Sequence, residues 1–548
     1  MIIELTLEKD KATNKILASA SDYMPSQEVK DRTAQVMKDF QLANTIRNKP
    51  YREFNDMSLL QRMGADQRSW NQFVEAPSSD PTQAWRSRAF RPIVRNKIIT
   101  IAAHLTAQLL FPKVYARNED SVEDTDAADV MRDLMEWAAD ESSYDKTFLY
   151  SIIAGMVNPA CIIHTQFTEV YRTVKEMQDS GKYEEKEILD TLFSGFQDCV
   201  VPVDEFWIAD IYEHEVQKQP YVLWRRVIDY STARAKYKDN KTFTEYVKPG
   251  LQCLYSDENN MFYYQYDENL RGTLVEEVIY YNRQADLQLV FVNGILIDDV
   301  NNPNPREDKQ YPFVKTGYEL IDEGRFFYYK SLAFKLAPDE EVINTAYRMV
   351  TDGTYIQIMP PAIVFGNEEI NSSVIAPGMV TTIDNSQNPN ASFQTIATNN
   401  NLTAGYNLLE KVEGSVNESS AEPMQQGQAT TGQQTAFEIS RLEQNARTLL
   451  GLFGKMISFM VKDYGELRIG DILQFLTVAD VADIGGAKDA LRYKAFVLPE
   501  RTVDGKTKSK RIQFDGNMPD EMTQQEMDGQ SMKLYMEELN GGDKSKII

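Results

Sequence analysis

The chain is poor in the residues that build compact metal and redox sites. Three cysteines, Cys161, Cys199 and Cys253, and three histidines, His104, His164 and His214, are spread over 548 residues. No two cysteines form a C-x-x-C pair. Neither a disulfide framework nor a zinc site is therefore expected, and the cysteines read as reduced core or semi-buried residues. Long apolar runs are also missing. The longest stretch, Ile98–Phe111, is interrupted by Thr100, His104, Thr106 and Gln108 and falls short of the ~20 residues that cross a bilayer. Despite Arg91, Arg95 and Lys97 beside it, it reads as a buried helix with a basic first turn. Glu4, Glu8 and Asp10 are out of place in a secretory signal peptide, so a soluble protein, intracellular when made, is expected. Positive charge is scarce as well. Against 82 Asp and Glu stand 58 Lys and Arg, a net charge of −24, which argues against general affinity for nucleic acid because phosphate neutralisation needs clustered cations.

What is present is enough to fold. The apolar fraction of 42% supports a large core rather than disorder. The length implies several domains or one extended protomer. Helical runs are expected at Gln27–Ile46, at Leu59–Phe73 and within Arg86–Phe111, the last closed by Pro112. An acidic stretch, Glu119 to Asp129, leads into a helix whose apolar face uses Val130, Leu134 and Trp137. It lacks the glycine and closing Glu of a calcium loop and reads as a solvated helix start. From about Ala160 the pattern turns to strands, at Pro202–Ile211, Tyr221–Val227, Val275–Tyr281 and Leu287–Val292. Asn293-Gly294 between Val292 and Ile295 is a strong hairpin signal, since both turn positions take positive φ.

Gly324–Gln357 then reads as largely helical, with Pro338 opening a fresh turn, and Pro360-Pro361 ends it. Short β-like pieces follow at Ala362–Phe365 and Met379–Ile383, then a helix over Leu402–Val416 and a polar loop over Glu418–Gln434. From Thr435 to Tyr464 no proline occurs, and Leu442, Ala446, Leu449, Phe453, Met456, Met460 and Tyr464 recur at helical spacing. Such a helix, about 30 residues and ~45 Å long, must cross a large body or run beside another subunit. A methionine-lined terminal helix is expected around Met522, Met527, Met532 and Met536.

Signals for catalysis fail one by one. Gly427-x-x-x-x-Gly432 has P-loop spacing, but Gln433 and Gln434 replace the lysine and hydroxyl residue. His214-Glu215 lacks a second histidine four residues on. No Gly-x-Ser-x-Gly elbow occurs, and no cofactor is expected. One basic cluster, Arg501, Lys506, Lys508, Lys510 and Arg511, is a possible contact for DNA or an acidic partner, or a solvated hairpin.

The order of elements carries the meaning: an α+β body, a helix, a small β-rich insertion, a returning helix, a polar loop and a very long helix. This order, with Tyr311-Pro-Phe-Val-Lys315, Gly324-Arg-Phe-Phe-Tyr-Tyr329 and Pro202-Val-Asp-Glu-Phe-Trp207 leading to Asp210, resembles the portal proteins of tailed bacteriophages across residues 85–465. The resemblance implies an α+β protomer with a mixed wing at 1–325 and a descending stem helix at 326–358. A small β-containing clip at 359–400, an ascending stem helix at 401–418 and a channel loop at 419–434 would follow. A long kinked wing helix at 435–464 and a C-terminal wing and short crown at 465–548 would complete it. It further implies a non-enzymatic ring, typically of twelve copies, at one capsid vertex of the virion, assembled in the host cytoplasm. Its partners would be the major capsid protein, the terminase packaging motor, head-tail adaptor or tail proteins, and double-stranded DNA passing through without sequence-specific binding; no membrane is involved. The channel loop would use Met424, Gln425, Gln426, Gln428, Gln433 and Gln434, and the acidic lining Glu410, Glu413, Glu418 and Glu422.

Composition suits that picture. Residues 356–434 hold seven acidic groups against Lys411 alone, and residues 385–434 hold 15 Asn or Gln. A pore for sliding DNA must not trap phosphates on fixed cations. A polar surface insertion would have the same composition. Two other functions stay open on sequence: another phage head-completion or structural ring protein, and an enzyme whose active site is assembled from distant residues.

Overall fold

The computed structural model describes residues 23–71, 85–106, 110–116, 120, 122–168, 171–177, 183–189, 194–238, 240–251, 273–366, 377, 380–384, 393–395, 405–408, 410–412, 414, 436–476, 478–486, 489–490, 501–503 and 506–508. The methionine-lined terminal helix and the loop 418–434 lie outside them, as does Cys253.

The architecture is mixed α+β, as expected. Its principal helices are α1 (Gln27–Asn48), α2 (Leu59–Trp70), α3 (Ile93–Thr106), α4 (Val122–Glu141), α5 (Tyr144–Val157), α6 (Leu332–Ile358), α7 (Ala436–Phe475) and α8 (Val478–Gly485). The main strands are β1 (Cys161–Thr168), β2 (Gly195–Val201), β3 (Phe206–Ile208), β4 (Tyr221–Asp229), β5 (Leu274–Asn282), β6 (Leu287–Val292), β7 (Ile295–Leu296) and β8 (Phe313–Thr316). Strands β3 to β7 form an antiparallel five-stranded sheet in the order β7-β6-β5-β4-β3, and β8-β1-β2 form a second sheet. Asn293 (φ 49°) and Gly294 (φ 78°) turn β6 into β7 as their sequence requires.

Period-2 alternation explains how the larger sheet is covered on both faces. On β5, Val275, Ile279 and Tyr281 join a core with Tyr51, Phe313 and Phe326–Tyr329. Val278 and Tyr280 face the other way, against Val36, Phe40 and Ala43 of α1. Burial on both faces should forbid charge, yet Glu276 and Glu277 are buried there. Each meets an arginine on the neighbouring strand β4. Arg225 pairs with Glu276, and Arg226 with Glu277. Lys236 Nζ adds a contact of 2.8 Å to Glu277.

A helical layer packs α3, α5, α6 and α7 together, with Ile98, Phe148, Ile152, Leu336, Ile343, Phe453 and Ile457 at its centre. A smaller core joins α4, α8 and the end of α7 through Leu134, Ile472 and Val481. Val130 and Leu134 are buried as their spacing predicts, and Trp137 packs beside them.

Several boundaries depart from expectation for identifiable reasons. Helix α3 begins only after Pro92, and residues 85–92 run as an irregular strap. Helix α6 starts at Leu332 and continues through Pro338. The preceding Phe326–Tyr328 segment is instead irregular and Tyr329–Lys330 pairs as a short strand with Glu319–Leu320, which lets four consecutive aromatic residues all be buried. Helix α7 has 40 residues, roughly 60 Å, eleven beyond the expected end at Tyr464. Gly465 and Gly470 lie in this extension and weaken its sequence signal. A Cβ at Gly465 would come within 2.8 Å of Pro112, and one at Gly470 within 2.8 Å of Asp308. Helix α5 shows no clear stripe in the sequence because its buried face includes Thr147 and Ser151 while Leu149 and Tyr150 are exposed. Cys161 is buried as expected, but Cys199 is exposed. Among the described residues no helix is long and apolar enough to cross a membrane.

Candidate functional site: the α6 helix, the small sheet and the returning helix

The base of α6 is fixed by buried polar chemistry. Ser331 caps the helix, its Oγ accepting from the Phe334 N–H at 2.9 Å, while its hydroxyl donates to Asp66 Oδ2 at 2.9 Å. Asp66 also pairs with Arg62, whose guanidinium stacks 4.1 Å over Phe334. Burial lowers Arg62 to about 10. Beside this base, Lys315 Nζ donates to the carbonyls of His214 and Phe327, the latter at 2.6 Å, and lies over the Phe327 and Tyr329 rings. Burial drives the Lys315 pKa well down. The two short phrases around Lys315 and Phe326–Tyr329 are thus joined through one lysine side chain.

Along its length α6 carries a polar ladder at positions 340, 344, 348 and 352. Glu340 accepts from the Val94 N–H at 3.2 Å and from Ser69 Oγ at 2.7 Å. Asn344 Oδ1 accepts from the Arg91 N–H at 2.7 Å, Arg348 Nε donates to the Ala89 carbonyl at 3.1 Å, and Asp352 accepts from the Ser87 N–H at 2.6 Å. The i+4 spacing places all four on one helix face, where they read the strap's backbone. This ladder was not recognised from sequence, although four polar residues spaced four apart are a usable signal. Burial raises the Glu340 pKa.

Past Pro360 and Pro361 lies a three-stranded sheet, β9 (Ala362–Gly366), β10 (Val380–Asp384) and β11 (Phe393–Thr395), in the order β10-β9-β11. Strands β9 and β10 are parallel, and β9 and β11 antiparallel. Two of these strands were expected; β11 was not. The chain returns as helix at 405–408, 410–412 and 414. Gly405 seats this helix against α6: a Cβ there would lie 2.6 Å from Val350.

Apolar side chains stay uncovered on these two helices. Met349 (68%), Ile358 (68%) and Met359 (58%) at the end of α6, and Tyr406 (57%) on the returning helix, are exposed, as are Tyr355 and Leu408. Between Val342 and Met359 the only charged residues are Arg348 and Asp352, both engaged by the strap.

The far half of α7 is locked to the body by ion pairs. Arg468 meets Asp198 of β2, and Tyr464 donates to the same carboxylate at 2.7 Å. Asp471 pairs with Arg306, which also holds Asp308 at 2.9 Å.

The remaining sequence-derived positions distribute as follows. Glu410 is exposed on the returning helix. Glu413, Glu418, Glu422, Met424, Gln425, Gln426, Gln428, Gln433 and Gln434 lie outside the described residues, as do Lys510 and Arg511. Arg501–Val503 and Lys506–Lys508 pair as an antiparallel hairpin, which places Arg501 opposite Lys508. His164 is buried between Trp224 and Phe313, whereas His214 Nδ1 meets the Phe326 carbonyl at 2.8 Å. Among the described residues no group of acidic, histidine and cysteine side chains is arranged to hold a metal. An open groove of about 510 Å³ between residues 110–115 and α7 is lined mainly by apolar residues such as Leu110, Val114, Met135 and Ile469. No family model and no curated protein matches the chain.

Proposed function

We propose that this chain is the subunit of a portal ring, a channel for double-stranded DNA at one capsid vertex. The observation that carries this reading is the uncovered apolar surface of α6 and the returning helix, flanking a small sheet. Two helices that expose Met349, Ile358, Met359 and Tyr406 need a cover, because apolar surface left in water costs about 25 cal/mol per Å². Repeating the same pair around a closed ring covers each copy with the next. In this reading α6 and the returning helix form the stem, and the sheet at 362–395 is the clip that meets the packaging motor and later the tail adaptors. The body, α7 and the chain beyond it form the wing and crown against the capsid. The loop with Met424, Gln425, Gln426, Gln428, Gln433 and Gln434 faces the DNA, and Glu410, Glu413, Glu418 and Glu422 keep the lining free of phosphate traps. The assembly is a conduit, not an enzyme.

Mass measurement and negative-stain imaging of the purified protein test this directly. A mass near twelve copies and rings with a central hole are expected. A monomer or dimer, with no rings, overturns the proposal.

A further inference from the structure

The strap along α6 is the densest basic run among the described residues. Residues 85–97 contain Arg86, Arg88, Arg91, Arg95 and Lys97 and no Asp or Glu, in a chain whose net charge is −24. The ladder on α6 fixes this segment. Ser87 is held at Asp352 and Arg91 at Asn344, eight helical residues apart, roughly 12 Å. Four strap residues over that distance are nearly extended, so Arg86, Arg88 and Arg91 are spaced along about 15 Å of backbone. Arg86, Arg88 and Arg91 are exposed, and Arg91 lies 5.9 Å from the Tyr347 ring centroid.

A matching surface exists elsewhere on the chain. Helix α4 exposes Asp129, Asp133, Glu136 and Asp140. Their spacing of four, three and four puts them on one helical face, and eleven residues of helix cover roughly 16 Å. Asp129 shares its charge with Arg132 of the same helix; among the described residues Asp133, Glu136 and Asp140 pair with no cation, and the buried face of the helix, Val130, Leu134 and Ala138, is turned to the core. The two charged rows are commensurate in length and opposite in sign.

We propose that the arginine strap of one copy docks on the acidic face of α4 in the next copy. This rests on the reading of the chain as a ring subunit and adds the contact that sets neighbour to neighbour. The contact joins different surfaces on the two copies, the head-to-tail type that closes a ring when the rotation fits. It also answers an electrostatic problem. Copies that each carry −24 repel one another, and complementary patches offset this locally while fixing orientation. Duplex DNA is the competing occupant of the strap, and the test separates the two.

Charge reversal on exposed positions leaves the core intact. Arg86→Glu with Arg88→Glu, and separately Asp133→Arg with Glu136→Arg, are each expected to raise the concentration of half-assembly by at least about tenfold. The quadruple variant, carrying both reversals in every copy, is expected to restore assembly, with unfolding curves confirming that all variants fold. Single reversals that assemble like the wild type overturn the strap–α4 contact while leaving the ring standing. Failure of the quadruple variant to recover overturns it equally. A strap reversal that keeps the ring mass but loses binding of a labelled duplex assigns the strap to DNA instead. A wild-type protein that is monomeric at low salt removes the ring reading and this contact together.

Discussion

At the scale of single residues, the buried charges decide what the body tolerates. Glu277 is fully buried and surrounded by Arg226, Lys236 and the Tyr237 hydroxyl. Burial alone would raise its pKa, but Lys236 and Arg226 outweigh that and hold it at about 2, below the ordinary 4.5. A carboxylate whose pKa falls on folding contributes stability above its unfolded pKa, and the contribution disappears as pH drops through the folded value. The expected consequence is a loss of stability between about pH 4.5 and pH 2, measurable as a falling Tm. Glu277→Gln should remove that pH dependence and destabilise by about 3–5 kcal/mol at pH 7, since it leaves two cations facing a neutral amide. A variant whose Tm at pH 7 equals that of the wild type would show that the pairs contribute nothing net. This site was hidden in the sequence. The run Leu274–Asn282 reads as a strand, but Arg226 and Glu277 are 51 residues apart, and a single chain gives no sign that they meet.

At the scale of elements, α6 is both a packing helix and a template for the strap. Its apolar residues, Leu336, Ile343 and Val350 among them, are buried, and its ladder holds the backbone of 87–94. Asn344→Ala would leave the Arg91 N–H without its acceptor. That should cost about 1–3 kcal/mol, and hydrogen exchange should quicken at Arg91 and Ser87 while the amides of α6 keep their protection. Unchanged exchange in the strap would mean that the ladder does not hold it. Long helices were the most legible elements: α1 and α2 lie close to their expected spans, α4 turns the expected Val130, Leu134 and Trp137 to its core, and α7 was clear through Tyr464. What escaped notice has physical causes. Helix α5 buries Tyr144, Phe148, Ile152 and Met156 together with Thr147, Ser151 and Gly155 on one face while exposing Leu149 and Tyr150 on the other, so polarity in the sequence does not mark its buried stripe. The last turns of α7 contain glycines selected by close neighbours, Pro112 and Asp308, rather than by helix propensity. Strand β11 spans only Phe393–Thr395, too short for a periodic signal.

At the scale of the whole molecule, the scarcity of positive charge acquires a location. The most deeply buried arginines are committed: Arg225, Arg226, Arg306 and Arg468 meet buried carboxylates. Between residues 356 and 434 only Lys411 remains, against seven acidic groups. If that region lines a channel, a phosphate passing it meets amides and like charge, and finds few fixed cations to trap it. Movement of DNA would then be limited by sterics at the narrowest point, and we propose that the loop at 419–434 supplies it. Deleting Met424–Gln434 would then remove that constriction while leaving the residues of α6, the ladder and the Arg468–Asp198 pair in place. Rings should therefore form with the wild-type mass, while heads filled in a packaging assay should lose their DNA more readily. The measurement is nuclease-protected DNA per assembled head, followed over time after the motor is removed. Retention equal to that of the wild type, in rings of normal mass, would place the constriction elsewhere and detach the amide-rich loop from the passage of DNA.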